Sequence, residues 1–442
     1  MVFWIELIIV LALIFWGTRK GGLFMTLAGG LGVFLFTFVF KAPMSEPPLT
    51  VLRIIFAVVL AGGAMQAIGG VDYLVAVAEK ILRKYPKAIT IMAPVVSFVF
   101  VFCSGTGHIV WSLLPIINEL AIENKVRPER PIAASIVASQ NAVCATPLAA
   151  ATAAMIGFME PAGVSMVKLL MVVIPATFIG SLMAGVVMLK KGKELLEDPE
   201  VQKRIADGTL KLNNEPKKEK VDFSKFSKNA KMSVAVFLIG MLLIVILGAV
   251  PSLRPALSDG NSLGMTDIIQ IFMLVIALVI SLLMRNGQKA DSIMETQVFK
   301  AGMFACAMVI GLCWMVNIFI GSQSTFLTET VSQLTDKYPW VFIIACYLVA
   351  NITTSQASTT AIVVPLGIAL GVSTPVLVAG WSLVGSHFLI PAASEALAAI
   401  PFDTAGTTKI GKFVFNTSYL LPSVVMAVVD AGVAFLLGTV IF

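Results

Sequence analysis

The sequence predicts an all-α polytopic membrane protein, an inverted repeat of two halves that each carry five transmembrane crossings plus one re-entrant helical hairpin. Three observations lead there. Of 442 residues, 58% are hydrophobic and only 13% charged, a composition that suits a bilayer and excludes an ordinary water-soluble domain. Apolar runs long enough to span a membrane, about 20 residues each, recur in the same order in both halves. Within each half, two apolar stretches break into hydroxyl-rich segments. Membrane depth tolerates such breaks only where protein or a wet cavity supplies hydrogen-bond partners.

In the first half, spans are expected near residues 2 to 17, 21 to 40, 51 to 69 and 165 to 189. The first apolar run, Phe3 to Trp16, has neither a basic leader nor a small-residue cleavage site, so it reads as a retained span. Asp72, Glu79, Lys80, Arg83 and Lys84 have the spacing of an amphipathic interfacial helix. Two arms, 88 to 103 and 108 to 124, meet at SGTG (Ser104 to Gly107) and form the hairpin. A run from 131 to 158 is interrupted by SQNAVCATP, Ser139 to Pro147, and reads as a discontinuous span.

The second half repeats the plan, with spans near 232 to 250, 266 to 285, 298 to 320 and 416 to 441. Its hairpin breaks at TTSQASTT, Thr353 to Thr360, and its interrupted span contains VGSHFLIP, Val384 to Pro391. Small landmarks agree: Lys-Tyr-Pro precedes each hairpin, at Lys84 to Pro86 and Lys337 to Pro339, and a proline follows each break, Pro115 or Pro365. Residues 1 to 189 and 232 to 442 are therefore the two repeats, and an odd number of crossings per half inverts the second copy.

The polar segment 190 to 231 between them carries 12 of the 31 basic residues and reads as a solvated cytoplasmic linker with a short helix. With the linker inside, 14 further Lys and Arg fall on cytoplasmic ends and only five fall outside, as the positive-inside rule requires. Both termini are then periplasmic. The net charge of +6 reflects this topology and not a nucleic-acid partner. The five cysteines all lie in apolar stretches without ligand-like pairing, so no metal site, cofactor or disulfide framework is expected.

Each hairpin brings a helix N-terminus into the membrane interior, where unpaired N–H groups and the positive end of the dipole favour an anion. Neutral donors surround the two ends. They are Ser104, Gly105, Thr106, Gly107 and His108 in the first hairpin, and Ser355, Gln356, Ser358 and Thr359 in the second. The interrupted spans add Ser139, Gln140, Asn141 and Ser386, and no arginine lies in these four segments. Two facing anion sites suit a substrate with two carboxylates. For Ser104 to Gly107 alone, close helix packing is the alternative; recurrence of the polar clusters in both halves favours binding. Candidates for proton coupling are His108, Asp430 and Glu119, since ionisable groups in membrane stretches are costly to bury. His387 stands in a more apolar neighbourhood, and Glu395 reads as structural.

AGGLGV (Ala28 to Val33), AMQAIGGVDYLV (Ala64 to Val75), GTGHIV (Gly105 to Val110), FKAGM (Phe299 to Met303) and DTAGTTKIGKFVFN (Asp403 to Asn416) resemble the anaerobic C4-dicarboxylate transporter family, Dcu, in its A/B branch. The similarity runs over nearly the whole chain. It implies a carrier in the bacterial inner membrane, not an enzyme, exchanging fumarate, malate or aspartate for succinate during fumarate respiration and also able to take up dicarboxylate with protons. That family is similar in turn to the wider ion-transporter superfamily, which implies scaffold and transport domains, an elevator mechanism and a homodimer. Here residues roughly 71 to 158 and 323 to 415 would move past a scaffold built from the remaining spans. B-type members also partner a membrane sensor kinase. One departure is His108, where the family pattern has Asn after Gly-Thr-Gly. Two rival readings are a sodium- or proton-coupled uptake carrier for another organic anion, and an intramembrane serine hydrolase using Ser104 or Ser139 with His108 or His387.

Overall fold

A computed structural model describes the chain apart from residues 1, 21–22, 48, 211–221, 256, 259–262, 285–288, 324–336, 390–392 and 411–416. The described elements of the first half are α1 (Val2–Lys20), α2 (Phe24–Phe34, continued by a π segment Leu35–Val39), α3 (Leu49–Ala67), α4 (Gly70–Lys84), α5 (Ile89–Ser104), α6 (Val110–Glu123), α7 (Glu129–Ala145), α8 (Ala150–Met159) and α9 (Met166–Met188). In the linker lies α10 (Pro199–Ala206). The second half contains α11 (Lys228–Ala249), α12 (Met265–Leu282), α13 (Gln297–Met308, continued by a π segment Val309–Cys313), α14 (Trp314–Ser322), α15 (Pro339–Thr353), α16 (Gln356–Ala369), α17 (Thr374–Trp381), α18 (Ser394–Ala399) and α19 (Leu420–Ile441). Among the described residues, eight helical stretches are long and apolar enough to cross a membrane. Of the sequence motifs, Ile390 and Pro391 of VGSHFLIP and residues 411–416 of DTAGTTKIGKFVFN lie outside the described residues.

The repeat is visible in the packing. Contacts of α5 with α7 and of α7 with α9 are matched by α15 with α17 and α17 with α19, and α9 packs against α19 where the halves meet. Likewise α3 on α12 is matched by α2 on α13 and its π segment. A two-fold relation between halves with odd numbers of crossings inverts one copy.

The helices α1, α2, α3, α11, α12, α13 and α14 pack chiefly on one another. One of their crossings brings two backbones together. A Cβ on Gly29 would stand 2.5 Å from the Gly311 carbonyl carbon, and one on Gly311 would stand 2.2 Å from the Thr26 carbonyl oxygen. In lipid, where hydrocarbon offers no contrast with a leucine side chain, such small-residue contacts are how helices gain van der Waals attraction. Exposed Ile271, Leu274, Leu278 and Leu282 of α12, and Val428, Leu436 and Val440 of α19, give these helices apolar outer faces suited to acyl chains. At the other extreme, every residue of α7 and all but two of α8 are buried, which puts these helices at the centre of the molecule.

Two expectations are corrected. The first interrupted span does not break at Ser139: α7 runs on to Ala145, and the irregular segment is Thr146 to Ala149. The polar side chains find partners without disturbing the backbone, because Ser139 Oγ donates to the Ile136 carbonyl (2.7 Å) and Asn141 Nδ2 donates to the Thr177 carbonyl of α9 (2.9 Å). Helix ends instead where Pro147 lacks an N–H. The linker, expected to be solvated, is docked over its first half. Arg127 pairs with Glu129 (2.6 Å) and with Asp198 at the N-cap of α10, while Arg130 bonds the Lys191 carbonyl (2.8 Å) and Glu194 (2.9 Å). Leu195, Val201, Leu210 and Ala405 close a small apolar cluster beneath it. Burial opposes the charge on Asp198. The hydrogen bonds from Arg127 and from the Glu200 and Val201 N–H groups outweigh that effect and hold its carboxyl below the usual carboxylate range.

Candidate functional site

Both hairpins turn in the same way, and the turn is dictated locally. After α5 the backbone enters the left-handed region at Gly105 (φ 74°), whose N–H donates to the Val101 carbonyl (2.8 Å). After α15 it does so at Thr354 (φ 48°), whose N–H donates to the Ala350 carbonyl (2.9 Å). These are left-handed helix C-caps. The residue before each cap ties the turn with its hydroxyl. Ser104 Oγ donates within 3.3 Å of the Val101 carbonyl and 3.4 Å of the Thr106 carbonyl; Thr353 Oγ1 lies 3.4 Å from the Ala350 carbonyl and 3.4 Å from the Ser355 carbonyl. The same two bonds, three residues back and two ahead, appear in both copies, so Ser104 corresponds to Thr353 and Thr106 to Ser355.

Downstream, a 3₁₀ turn Gly107–Ile109 leads into α6, while Ser355 caps α16 by accepting from the Ser358 N–H (3.3 Å). Ser358 Oγ donates to Ser355 Oγ (2.9 Å), and behind the turn the hydroxyls of Thr359 and Thr353 are 2.7 Å apart. The second tip is therefore hydrogen-bonded from within.

The two tips line one cavity of about 500 Å³. Gly105, Thr106 and Gly107 form one side, and Thr353 to Ser358 the other. Between them Gln140 of α7 accepts two bonds from Gln356 Nε2, at its carbonyl (2.7 Å) and its Oε1 (3.2 Å). Gly107 is required there, since a Cβ would meet Gln140 Nε2 at 2.5 Å. The outer wall comes from α2 and α13 through Met25, Gln297, Ala301 and Phe304. The cavity thus lies where the hairpins face the helices packed around α2 and α13. Among the described residues lining it there is no lysine or arginine. Beside the imidazole of His387 and the carboxyl of Glu395, what it offers an anion is amide, hydroxyl and helix-end dipole.

Not every sequence candidate reaches this wall. Ser104, Ser139 and Thr359 lie behind it, their hydroxyls bonded to carbonyls of their own turns or helix. Asn141 points from α7 toward α9, where its Nδ2 also reaches Ser181 Oγ (3.2 Å) and its Oδ1 has no partner. Ser386 is fully buried, its carbonyl accepting from Asn351 Nδ2 (3.3 Å) and its hydroxyl unpartnered. For His108 only the backbone is described; its side chain lies outside the described residues.

The acidic candidates separate as well. Glu119 on α6 accepts from Nη2 of Arg83 (3.2 Å), whose Nε bonds Glu79, so its charge has a partner away from the cavity. Asp430 is fully buried in α19, with both carboxylate oxygens unpartnered and fitted against Gly180, where a Cβ would stand 1.8 Å from its Oδ1. Sequence reasoning ranked His387 below His108 and read Glu395 as structural; both line the cavity. Their signal was available: each sits in or beside the irregular stretch of the second interrupted span, where side chains turn toward the break.

The whole chain has relatives. The family described as anaerobic C4-dicarboxylate membrane transporter matches residues 2–442. The chain is 35% identical to the anaerobic C4-dicarboxylate transporter DcuB of Escherichia coli over 430 residues, 96% of each chain. It is 34% identical to the C4-dicarboxylate transporter DcuA of Wolinella succinogenes over 436 residues, 99% of each. Among solved structures, that of the Alcanivorax borkumensis YdaH transporter superposes with a TM-score of 0.57 at 16% identity, covering 93% of this chain and 88% of that one, which is a likeness of fold.

Proposed function

From the premise that the chain belongs to the anaerobic C4-dicarboxylate membrane transporter family, we propose that it exchanges C4-dicarboxylates across the bacterial inner membrane, taking in fumarate, malate or aspartate and releasing succinate. One observation carries the reading: two matched hairpin turns line a single cavity whose described wall holds no lysine or arginine. A dianion held there is met by N–H groups, hydroxyls and the positive ends of α6 and α16. Each bond is modest, so release on either side is as accessible as capture, which suits an exchanger. Of the sequence candidates, Gly105, Thr106, Gly107, Gln140, Ser355, Gln356 and Ser358 are assigned to the substrate, and Ser104, Ser139, Thr359 and Ser386 to the shape of the turns around it.

Alternating access follows by an elevator movement, in which the hairpins and the helices packed on them carry the cavity past the scaffold of α1, α2, α3 and α11 to α14. The sequence reading left α9 and α19 in the scaffold; their packing on α5, α7 and α17 supports grouping them with the moving unit instead. The working form is a homodimer with both termini periplasmic. Purified protein in liposomes preloaded with succinate is expected to accumulate labelled fumarate well above vesicles loaded with buffer alone. Equal uptake in the two sets of vesicles contradicts exchange.

A further inference from the structure

Behind the cavity wall, each hairpin is tied to the interrupted span of its own half by one polar side chain. In the first half that side chain is Thr146, where α7 ends. Its hydroxyl donates to the Phe102 carbonyl in the last turn of α5 (2.7 Å) and accepts from the Leu148 N–H (3.3 Å), closing the turn around Pro147. In the second half the side chain belongs to the hairpin. Asn351 of α15 donates from Nδ2 to the Ser386 carbonyl (3.3 Å) and accepts at Oδ1 from the Leu389 N–H (2.7 Å), so it grips both ends of the irregular stretch Ser386 to Leu389. A further bond from Nδ2 to the Tyr347 carbonyl of its own helix (2.8 Å) holds the amide in that orientation.

The two ties start from one position. Ser104 corresponds to Thr353, and Phe102 and Asn351 each stand two residues before them. One contributes a backbone carbonyl and the other a side-chain amide, with the same result: hairpin arm and irregular backbone are joined. Thr146 is fully buried and Asn351 is 3% exposed, and neither is among the described residues that line the cavity. What they hold does line it. Ala149 to Ala151 follow the turn at Thr146, and His387 lies between the two backbone groups that Asn351 binds.

Irregular backbone inside a membrane protein keeps its shape only where its N–H and C=O groups find partners. A binding site in turn needs its walls held to within about 0.5 Å of the productive geometry by residues outside the contact itself. We propose that Thr146 and Asn351 are positioning residues for the substrate: touching none of it, they fix each tip against its interrupted span and so set where the two walls stand when they close on a dicarboxylate. The inference rests on the cavity being the dicarboxylate site.

Calorimetric titration of succinate into the purified protein in detergent tests it. Thr146→Val keeps the shape of the side chain and removes its hydroxyl, and Asn351→Leu does the same for the amide. Each is expected to raise the succinate Kd about tenfold, because a buried carbonyl or N–H left unpaired draws its backbone out of place. Thr146→Ser restores the hydroxyl and is expected to bind as the wild type does. Lost stability alone must not have this effect: Ser322→Ala, which removes a bond to Glu6 (2.9 Å) at the junction of α14 with α1, is expected to melt earlier with an unchanged Kd. Wild-type affinity in Thr146→Val or in Asn351→Leu overturns the proposal, and if one of the two does not fold the other decides. Thr146→Ser binding as weakly as Thr146→Val overturns it too, as does an equal loss of affinity in Ser322→Ala. These outcomes leave the site standing; a wild type that does not bind succinate defeats both the site and the proposal.

Discussion

The two hairpin tips have the same skeleton and different surfaces. At Ser104 and Thr353 a hydroxyl makes the same pair of bonds, and the next residue is left-handed in both. Beyond that point they diverge. The first tip is Gly105, Thr106, Gly107, and it presents mainly backbone; the second is Thr354, Ser355, Gln356, and it presents side chains that reach Gln140 and each other. Turn geometry was therefore held while chemistry was free to change. Two unlike tips closing on one cavity suit a substrate whose two ends need not be read identically.

Substitutions can sharpen or break that comparison. The largest effect is expected from Gly105→Ala, which places a side chain in left-handed backbone and 2.7 Å from Leu148 Cβ. Backbone strain of about 1–2 kcal/mol adds to overpacking of about 1–3 kcal/mol, read as a lower melting temperature in detergent. A neutral outcome would mean the first turn is not fixed as described.

Next come Ser104→Ala and Thr353→Ala, each removing a hydroxyl that ties its turn. Each is expected to cost about 1 kcal/mol of stability, by similar amounts; a large disparity would deny that the two positions correspond. Smaller still and of opposite sign is Thr354→Gly. Threonine carries the left-handed conformation that glycine already adopts in the other tip, so the change is expected to stabilise by about 0.5–1 kcal/mol.

The smallest effect concerns an asymmetry between the halves. The linker docks at the turn before α7 through Arg127 and Asp198, and the described residues of the second half hold no equivalent. Because the Asp198 carboxyl is held below its usual range, its contribution to docking is complete above the ordinary aspartate pKa of about 3.9 and is lost as pH falls from there through the depressed value. Cleavage of the linker by pepsin is therefore expected to rise in that acid range, and to lose that dependence in Asp198→Asn.

Much of this was legible in the sequence because bilayer physics leaves few choices. Span lengths, the paired breaks and the repeated order all follow from the need to satisfy the backbone internally, and Gly105, Gly107, Ser355 and Gln356 stand on the cavity as their positions in the breaks implied. The residues that went astray did so through local hydrogen bonding. Serine and asparagine in an apolar stretch signal a break only if their side chains lack partners. Ser139 finds one within its own helix and Asn141 one on α9, so α7 continues through both. His387 and Glu395 were undervalued for a different reason: apolar neighbours in sequence are not neighbours in space once a helix is interrupted. The docked linker was hidden because its charged composition reads as solvated until Arg127 and Arg130 are seen to face it.

The central claim is that the unlike tips close on one dicarboxylate. A crystal grown with 2-bromosuccinate tests it through the anomalous signal of bromine. A peak between Gly105–Gly107 and Ser355–Ser358, beside Gln140, is the expected result; a well-ordered peak elsewhere, with this cavity holding only solvent, would contradict it.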